Sequence, residues 1–400
     1  MLIVKNGKVL TMAGITLDKG YIAAEKGKIV YVGNDADIIN KYINENKTAC
    51  IIDAEGKYVL PGLVDAHCHI GLWEDAVGFE GEDGNEMTDP VTPHLRAIDG
   101  IYHNDRSFTE ARESGVTTVV TGPGSSNVIG GQFAALKTYG KRIEEMLIKE
   151  PVAMKVAFGE NPKFVYNEKK QMPTTRMSTA AILRESLMKA KEYKMLLDDY
   201  EKDRENCDKP EYDMKLEALL PVIEGKIPLK AHAHRADDIL TAIRIAKEFN
   251  VRLTIEHCTE GHLIKDILAE EGVSVIAGPS LTDRSKVELR NQTIKNPGIL
   301  SNMGIKVAIM TDHPCIPIQY LSLCAALSMK EGMNEEDALK AITINAAELT
   351  GISDRVGSIE VGKDADLVIF DGHPFELRTN VVTTIINGNI VYEREKNADV

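Results

Sequence analysis

Eight short apolar runs, separated by longer segments with helical periodicity, occupy the middle of this 400-residue chain. Continuous apolar strands that alternate with helices are typical of a parallel sheet that is covered on both faces. Eight such units fit a closed barrel, so the pattern predicts an α/β fold of the (β/α)8 TIM barrel type. The predicted strands are residues 63–69, 116–122, 132–139, 152–159, 227–234, 251–257, 273–277 and 305–311.

The two ends of the chain have a different pattern, with short β-rich runs separated by turn dipeptides such as Asn6-Gly7 and Asn387-Gly388. Runs of this kind predict strands joined by tight turns. We expect both ends to form one small β-sandwich domain. The predicted organisation is therefore discontinuous, with residues 1–58 and 356–400 in the β-sandwich domain and residues 59–355 in the catalytic barrel.

The amino-acid composition limits which binding partners and which cellular compartment are expected for this chain. The chain has 47 Lys and Arg against 61 Asp and Glu, a net charge of −14. Without a long basic stretch, neither a nucleic acid nor an anionic membrane is an expected partner. No apolar run approaches the ~18 residues of a membrane span, and none of the six cysteines forms a C-x-x-C pair, which favours a reducing compartment. We expect a soluble, cytoplasmic protein that acts on a small-molecule substrate.

Two predicted connections, residues 70–105 and 161–226, are too long for simple turns. Long connections in compact domains are usually lids, binding loops or oligomer contacts. The second one contains a predicted helix at about residues 178–200, and we hypothesise that this helix forms a homo-oligomer contact.

Histidines and carboxylates occur where the predicted barrel strands end, which is where a TIM barrel keeps its active site. The strands concerned are the first, fourth, fifth, sixth and eighth, with His67 and His69, Glu160, His232 and His234, His257, and Asp312. The H-x-H spacing puts two imidazoles on one face of a strand, ~7 Å apart. Imidazoles with carboxylates suit zinc, iron or manganese better than magnesium. The pattern predicts a divalent metal centre, with zinc as the first expectation and iron or manganese as alternatives.

Three segments carry a resemblance to a known family. YVLPGLVDAHCH at residues 58–69 resembles the opening signature of the amidohydrolase superfamily, and VGSIEVGKDADLV at residues 356–368 resembles its return into the β domain. GVTTV at residues 115–119 also matches, and the nearest branch is the imidazolonepropionase-like amidohydrolases. The resemblance implies a metal-bearing (β/α)8 barrel beside a β-sandwich. It also implies an amidohydrolase that acts on C–N bonds other than ordinary protein peptide bonds.

The resemblance also implies a ligand set. Carried over residue by residue, the ligands are His67, His69, His232, His257 and Asp312. On the fourth strand many members use a carboxylated lysine and others a glutamate. We expect Glu160 as the metal ligand, because Lys155 lies five residues earlier and strand parity predicts it on the opposite face. Whether the centre holds one ion or two depends on this choice and stays open here.

This ligand set predicts hydrolysis of an amide, with a cyclic amide as one candidate. A metal ion lowers the pKa of bound water towards ~7, and the resulting hydroxide attacks the carbonyl carbon. We expect Asp312 and His257 to be catalytic, with Asp312 passing the water proton to the leaving nitrogen. Deamination of a ring amidine and hydrolysis of a small peptide or acyl amino acid are alternatives. A non-catalytic structural relative is the remote alternative.

Substrate contacts have weaker signals in the sequence. We expect contacts from Gln132 beside a glycine-rich loop, from His234, from Arg284 after the seventh strand, and from Tyr166 after the fourth. Arg284 would grip a substrate carboxylate with two parallel hydrogen bonds. Seven carboxylates between residues 74 and 89 form either a solvated loop or an acidic gate that disfavours anionic substrates.

Overall fold

The computed structural model describes residues 1–75 and 78–394. Residues 395–400, the end of the predicted segment 356–400, lie outside the described residues, as do two residues of the acidic loop. The strands are β1 Leu2–Leu10, β2 Thr16–Glu25, β3 Lys28–Gly33, β4 Cys50–Asp53, β5 Tyr58–Pro61, β6 Leu63–Cys68, β7 Val116–Thr121, β8 Ile129–Lys137, β9 Leu147–Ala157, β10 Leu229–Ala233, β11 Leu253–His257, β12 Ser274–Ala277, β13 Val307–Ile309, β14 Leu367–Phe370, β15 Val381–Ile386 and β16 Asn389–Glu393.

Except for the first helix, which packs on β2, the helices cover the barrel and connect its strands. They are α1 Ala36–Glu45, α2 Arg106–Glu113, α3 Ile143–Met146, α4 Glu160–Glu168, α5 Arg176–Lys202, α6 Met214–Ile223, α7 Ala236–Phe249, α8 Lys265–Glu271, α9 Asn296–Asn302, α10 Leu321–Lys330, α11 Glu335–Ala341 and α12 Ile344–Leu349. None of the described helices combines the length and the apolar character that crossing a bilayer requires.

The central sheet contains β6 to β13 in chain order. Two hydrogen bonds close it between the first strand and the segment after the last. Asp312 N donates to His67 O (3.2 Å), and His69 N donates to His313 O (2.8 Å). The interior is packed with buried side chains such as Val64, Val120 and Ile276, as expected for a filled barrel. The predicted TIM-barrel fold is confirmed.

One strand departs from the parallel pattern that the sequence predicts. β8 is antiparallel to both of its neighbours, with Thr121 opposite Ala134 and Ile129 opposite Val156. A parallel connection needs a crossover of about a dozen residues or more, and the segment between Thr121 and Ile129 is shorter than that. β8 therefore begins at the mouth of the barrel instead of ending there.

The terminal sheet confirms a β-sandwich domain built from both ends of the chain. Its order is β16-β15-β14-β5-β1-β2-β3, and β4 pairs with β1 in parallel. The two ends meet where β14 pairs antiparallel with β5, with Leu367 opposite Pro61. Apolar side chains such as Val4, Val59 and Ile385 form its core. The sequence prediction missed the short strands β4 and β5, and the domain boundaries at residues 58 and 356 stay a prediction.

The long helix predicted at residues 178–200 is α5, which lies within the second long connection. It begins after Thr175, whose hydroxyl accepts a hydrogen bond from Ser178 N. Its buried face, including Leu183 and Leu187, packs against α6 and α7. The homo-oligomer hypothesis for this helix stays a prediction.

A buried ion-pair network joins the barrel to the terminal domain. Lys137, at the end of β8, contacts both Asp366 and Asp364, and its side chain is 2% exposed. Asp364 also pairs with Lys28 (2.6 Å) and with Arg355 (2.7 Å). Burial raises the pKa of Asp364, but the charge of Lys137 and the hydrogen bonds from Arg355 and Lys28 outweigh it and hold the pKa at about 2.

We expect Lys137→Met to destabilise the fold by about 3–5 kcal/mol. Lys28, Lys137 and Arg355 are the cations that the structure pairs with these two carboxylates, and the substitution removes the buried one, Lys137. The free energy of unfolding at pH 7, measured in denaturant, tests this. The matched control is Lys5→Met, since Lys5 pairs with Asp53 at the surface and should contribute less than about 1 kcal/mol. Equal losses in the two variants would contradict the structural role of the network.

The same network predicts a dependence on acid. A carboxyl with a lowered pKa stabilises the fold above its unfolded pKa of ~3.9, and this contribution is lost as pH falls through the folded pKa. For Asp364 that window lies between ~4 and about 2. We expect the acid-dependent loss of stability in this window to be smaller in Lys137→Met than in the unaltered protein.

Candidate metal centre

Side chains from four barrel strand ends converge at the mouth of the barrel. Their ligand atoms fall into two groups, each within 4.8 Å, that share His257. The groups are His67, His257 and Asp312, and His232, His234 and His257. His69 adjoins the first group, with Nε2 3.2 Å from Asp312 Oδ1. All of these residues are buried.

Two of these residues have a left-handed backbone, with φ of 67° at His257 and 54° at Asp312. Non-glycine residues rarely adopt positive φ, and holding one there costs on the order of 1–3 kcal/mol. The backbone turns out of the strand direction at both positions. As a result Glu256 faces the barrel interior and His257, the next residue, also faces the centre.

Hydrogen bonds donated by the outer ring nitrogens orient three imidazoles. His69 Nδ1 donates to Gly122 O (2.7 Å), and His257 Nδ1 donates to Gly278 O (2.9 Å). His67 Nδ1 donates to Glu256 Oε2 (2.9 Å). A carbonyl or a carboxylate only accepts, so in the neutral ring Nδ1 carries the proton and Nε2 presents a lone pair to the centre. This is the arrangement by which proteins orient metal-binding histidines.

Asp312 Oδ1 gives the clearest sign that a cation belongs here. This atom is buried and has no hydrogen-bond partner. It lies 3.2 Å from His69 Nε2 and 3.4 Å from His67 Nε2. A carboxylate oxygen and imidazole nitrogens that face one point are ligand types that zinc and similar divalent ions prefer. The donor set therefore fits a divalent ion.

The pKa shifts of these residues favour neutral imidazoles and an ionised Asp312, which are the forms that bind a metal ion. Burial lowers the pKa of His257 to about 4 and lowers the pKa of His67 and His232 as well, so these rings are neutral near pH 7. Burial raises the pKa of Asp312, but the adjacent His69 ring and the charges of nearby groups such as Lys155 outweigh it and hold that pKa below its ordinary range.

The second group contains both histidines of the fifth barrel strand. His232 Nδ1 lies 2.7 Å from His257 Nε2, so these two atoms face the same point. His234 stacks on His257 with ring centroids 4.5 Å apart, and its Nδ1 lies 2.7 Å from Thr259 Oγ1. His232 and His234 both offer a ring nitrogen to this group, and both line the cavity described next.

A cavity of about 350 Å³ opens above these groups. Its wall includes Trp73 and Asn85 from the connection after β6, Asn161 from α4, and Lys286 from the connection after β12. The ring of Trp73 lies edge-on to His69, with centroids 4.8 Å apart. A cavity of this size suits a small molecule.

Comparison with known proteins agrees with this geometry. The model of the amidohydrolase family matches residues 58–391. The chain belongs to the amidohydrolase family. It hydrolyses C–N bonds other than ordinary protein peptide bonds, and the resemblance to the imidazolonepropionase-like branch is confirmed.

Three similar proteins illustrate the match. The crystal structure of an amidohydrolase from Thermotoga maritima MSB8 is 44% identical, with a TM-score of 0.92, and the match covers 98% of this chain and 100% of that one. The imidazolonepropionase of Alkaliphilus oremlandii is 27% identical over 98% of this chain and 94% of its own length. Amidohydrolase tasK of Hapsidospora irregularis is 28% identical over 94% of this chain, which spans only 40% of that longer protein.

The structure corrects the expectation about Lys155 and Glu160. Lys155 points into the barrel of this amidohydrolase, with Nζ 3.3 Å from His67 Nε2, and burial lowers its pKa to about 8. Glu160 belongs to neither group of ligands and begins α4, where its backbone N donates to Glu288 Oε2. The reason is Gly159, whose φ of 81° ends the strand geometry on which the parity argument depended.

Of the four expected substrate contacts, only His234 lines the cavity. Gln132 Nε2 donates to Pro93 O, and Tyr166 is fully buried with its hydroxyl donating to Asn127 Oδ1. The exposed Arg284 donates to Gln292 O. Gln132 lies within β8, and its amide is held by the connection after β6 instead of facing the cavity. Arg284 faces outwards from an irregular segment whose direction the sequence does not encode.

The position of the acidic loop argues against one of its two interpretations, the acidic gate. Within the described residues, none of its carboxylates lines the metal cavity, whereas Glu82, Asp83 and Glu86 line a separate one. Asp89 pairs with Lys215 (2.6 Å). The structure therefore does not support an acidic gate at this site.

Sequence reasoning missed Glu256, the buried carboxylate beneath the centre. It accepts hydrogen bonds from His67 Nδ1, from Lys230 Nζ (2.8 Å) and from Thr254 Oγ1 (2.6 Å). The available signal was a charged residue inside an apolar strand directly before His257. Such a residue needs a buried partner, since an unpaired internal charge is strongly unfavourable.

We expect Glu256→Gln to weaken metal binding by about 10- to 100-fold, because Glu256 orients His67. Competition with a chelator, on protein whose fold is verified by circular dichroism, measures the change. Glu160→Gln is the matched control and should leave metal affinity unchanged, since Glu160 contacts none of the ligands. A loss in Glu160→Gln as large as that in Glu256→Gln would support the original expectation for Glu160.

Proposed function

We propose that this amidohydrolase hydrolyses an amide bond of a small molecule, with a cyclic amide as the first candidate, at a centre of one or two divalent ions. The observation that carries the proposal is the buried, unpartnered Oδ1 of Asp312, which faces the Nε2 atoms of His67 and His69. The cavity above it is large enough for a small molecule, and Trp73 lines one side of it.

The proposed ligands divide into two sets. His67, His69 and Asp312 would hold one position, and His232 with His257 would hold a second, with His234 as the alternative to His232. Zinc is the first candidate ion, and iron or manganese are alternatives for imidazole with carboxylate ligands. A divalent ion bound there would polarise a carbonyl oxygen and lower the pKa of water towards ~7.

In this proposal, the chemical state of the Lys155 side chain determines whether the centre holds one ion or two. Its Nζ lies against His67, and the residue is 1% exposed. As an ammonium group it would place a positive charge beside a metal ion, which is unfavourable. Addition of the neutral amine to carbon dioxide, with loss of one proton to solvent, would give a carbamate whose two oxygens could serve as metal ligands. We therefore propose carboxylated Lys155, in place of Glu160, as the bridging ligand.

We expect Lys155→Met to lower the bound metal to one ion per chain or fewer, because the methionine cannot supply oxygen ligands. Elemental analysis of purified protein measures this, with Glu160→Gln as the control that keeps the stoichiometry. Two ions per chain in Lys155→Met would contradict the bridging role.

The proposed role of Asp312 is proton transfer. With one carboxylate oxygen of Asp312 holding an ion, the other would accept a proton from the attacking water and deliver it to the leaving nitrogen. The left-handed backbone at Asp312 and its backbone hydrogen bond to His67 O hold this carboxylate at the centre. His257 is held by Gly278 O on its outer side, which keeps its Nε2 lone pair at the centre.

We expect Asp312→Asn to lower kcat by about 10²- to 10⁴-fold, the usual contribution of a positioned acid or base. Steady-state kinetics with parallel metal analysis separates proton transfer from metal binding. The asparagine keeps an oxygen ligand, so a variant that retains its metal but not its turnover supports the role. Full turnover with full metal content would show that Asp312 transfers no proton.

A substrate panel tests the proposed activity as a whole. Several relatives carry the name imidazolonepropionase, which is why cyclic amides stand first in the panel, followed by acylated amino acids and dipeptides. We expect hydrolysis of at least one amide to be abolished by chelation and restored by a divalent ion. Ammonia as the product of a ring amidine would show a deaminase instead. No turnover by metal-loaded protein across the panel would contradict the proposal.

A further inference from the structure

One cation lies in the wall of the metal cavity and has no role in the chemistry described so far. Lys286 is half-buried in the segment after β12 and lines the same cavity as His232, His257 and Asp312. Its Nζ donates a hydrogen bond to Asn161 Oδ1 (2.7 Å). This hydrogen bond leaves other N–H donors of the ammonium group available, since a lysine has three.

The ammonium group forms no ion pair and interacts with Glu288 only at longer range. In the part of the chain that the structure describes, no carboxylate lies within ion-pair distance of Lys286 Nζ. Glu288, two residues later, is directed elsewhere, with Oε2 on Glu160 N (2.9 Å) and Oε1 3.8 Å from His234 Nε2. A partly buried charge without a partner is unfavourable, and an anion bound in the cavity would compensate it.

Asn161 connects this cation to the metal centre. Its Nδ2 donates to Ser125 Oγ (2.7 Å) and lies 3.4 Å from His232 Nε2. A single amide side chain therefore separates the Lys286 ammonium from a proposed metal ligand. Much of the remaining wall is apolar, including Trp73, Pro279 and Leu289. The cavity thus combines a cationic point, an apolar body and the reacting centre.

We propose that Lys286, positioned by Asn161, binds a carboxylate of the substrate. The substrate is then an amide with an acidic group a few bonds from the scissile C–N bond, such as an acyl amino acid or a cyclic amide with a short acidic side chain. This inference rests on the proposed amide hydrolysis. It transfers the carboxylate contact from Arg284, which faces away from the cavity, to the residue two positions later.

The experiment uses the metal-loaded protein and the amide of the panel that it hydrolyses fastest. Two forms of that amide are compared. They are identical except that one carries a carboxylate where the other carries a carboxamide. We expect the unaltered protein to prefer the acid. In Lys286→Met the ratio of kcat/KM for the acid over the carboxamide falls about 10- to 100-fold, the usual effect of losing a charge-assisted hydrogen bond.

Two further variants sharpen this test. Lys286→Glu should lower the ratio further than Lys286→Met, because it places a negative charge beside the substrate carboxylate. Lys295→Met is the matched control, since Lys295 is an exposed lysine whose partner in the structure is Glu331. Metal content is measured in every variant, so that a loss of metal is not mistaken for a loss of substrate recognition.

The outcomes separate this inference from the proposed function. No hydrolysis of any amide by the unaltered, metal-loaded protein would overturn the proposed function and this inference together. Equal use of acid and carboxamide, with no change of the ratio in Lys286→Met, would overturn the inference alone. An equal loss for both substrates, or a fall of the ratio in Arg284→Met in place of Lys286→Met, would also overturn it.

Discussion

Closure of the barrel between its first strand and the segment after its last is the constraint on which the site depends. Two backbone hydrogen bonds, from Asp312 N to His67 O and from His69 N to His313 O, make this closure. They join residues that are far apart in the chain, and they place Asp312 against the H-x-H pair. Without this closure the carboxylate and the two imidazoles would have no reason to approach each other.

The centre concentrates lone pairs and balances them with buried charges nearby. The inward-facing Nε2 atoms and Asp312 Oδ1 form a cluster of acceptors that favours a cation. Beneath it, Glu256 neutralises Lys230 and fixes the ring of His67. Buried charges of this kind are tolerated only when they are paired. Lys286 has no carboxylate partner in the described part of the chain. By the same principle, an anion bound in the cavity would compensate its charge.

Much of the fold and part of the site could be predicted because they depend on local, repeated patterns. Apolar strands that alternate with helices indicated the barrel, and His67, His69, His232, His257 and Asp312 stood at strand ends, where the structure brings them together. Prediction failed where the chain leaves regular geometry. Gly159 ends the strand before Glu160, so counting alternate residues assigned Lys155 to the wrong side of the sheet. Gln132, expected to contact substrate beside the glycine-rich loop, lies within β8 with its amide on Pro93 O.

The sequence by itself determined the family, the barrel, the domain built from both ends and the residue types of a metal centre, because period-two and period-3.6 patterns and short motifs are local properties of the chain. Only the tertiary structure decided that Lys155 lies beside His67, that Glu256 orients that ring, and that Lys286 lines the cavity while Arg284 does not. The physical reason is that these positions depend on left-handed backbone angles at strand ends and on partners contributed by distant strands, and neither has a local signature in the sequence.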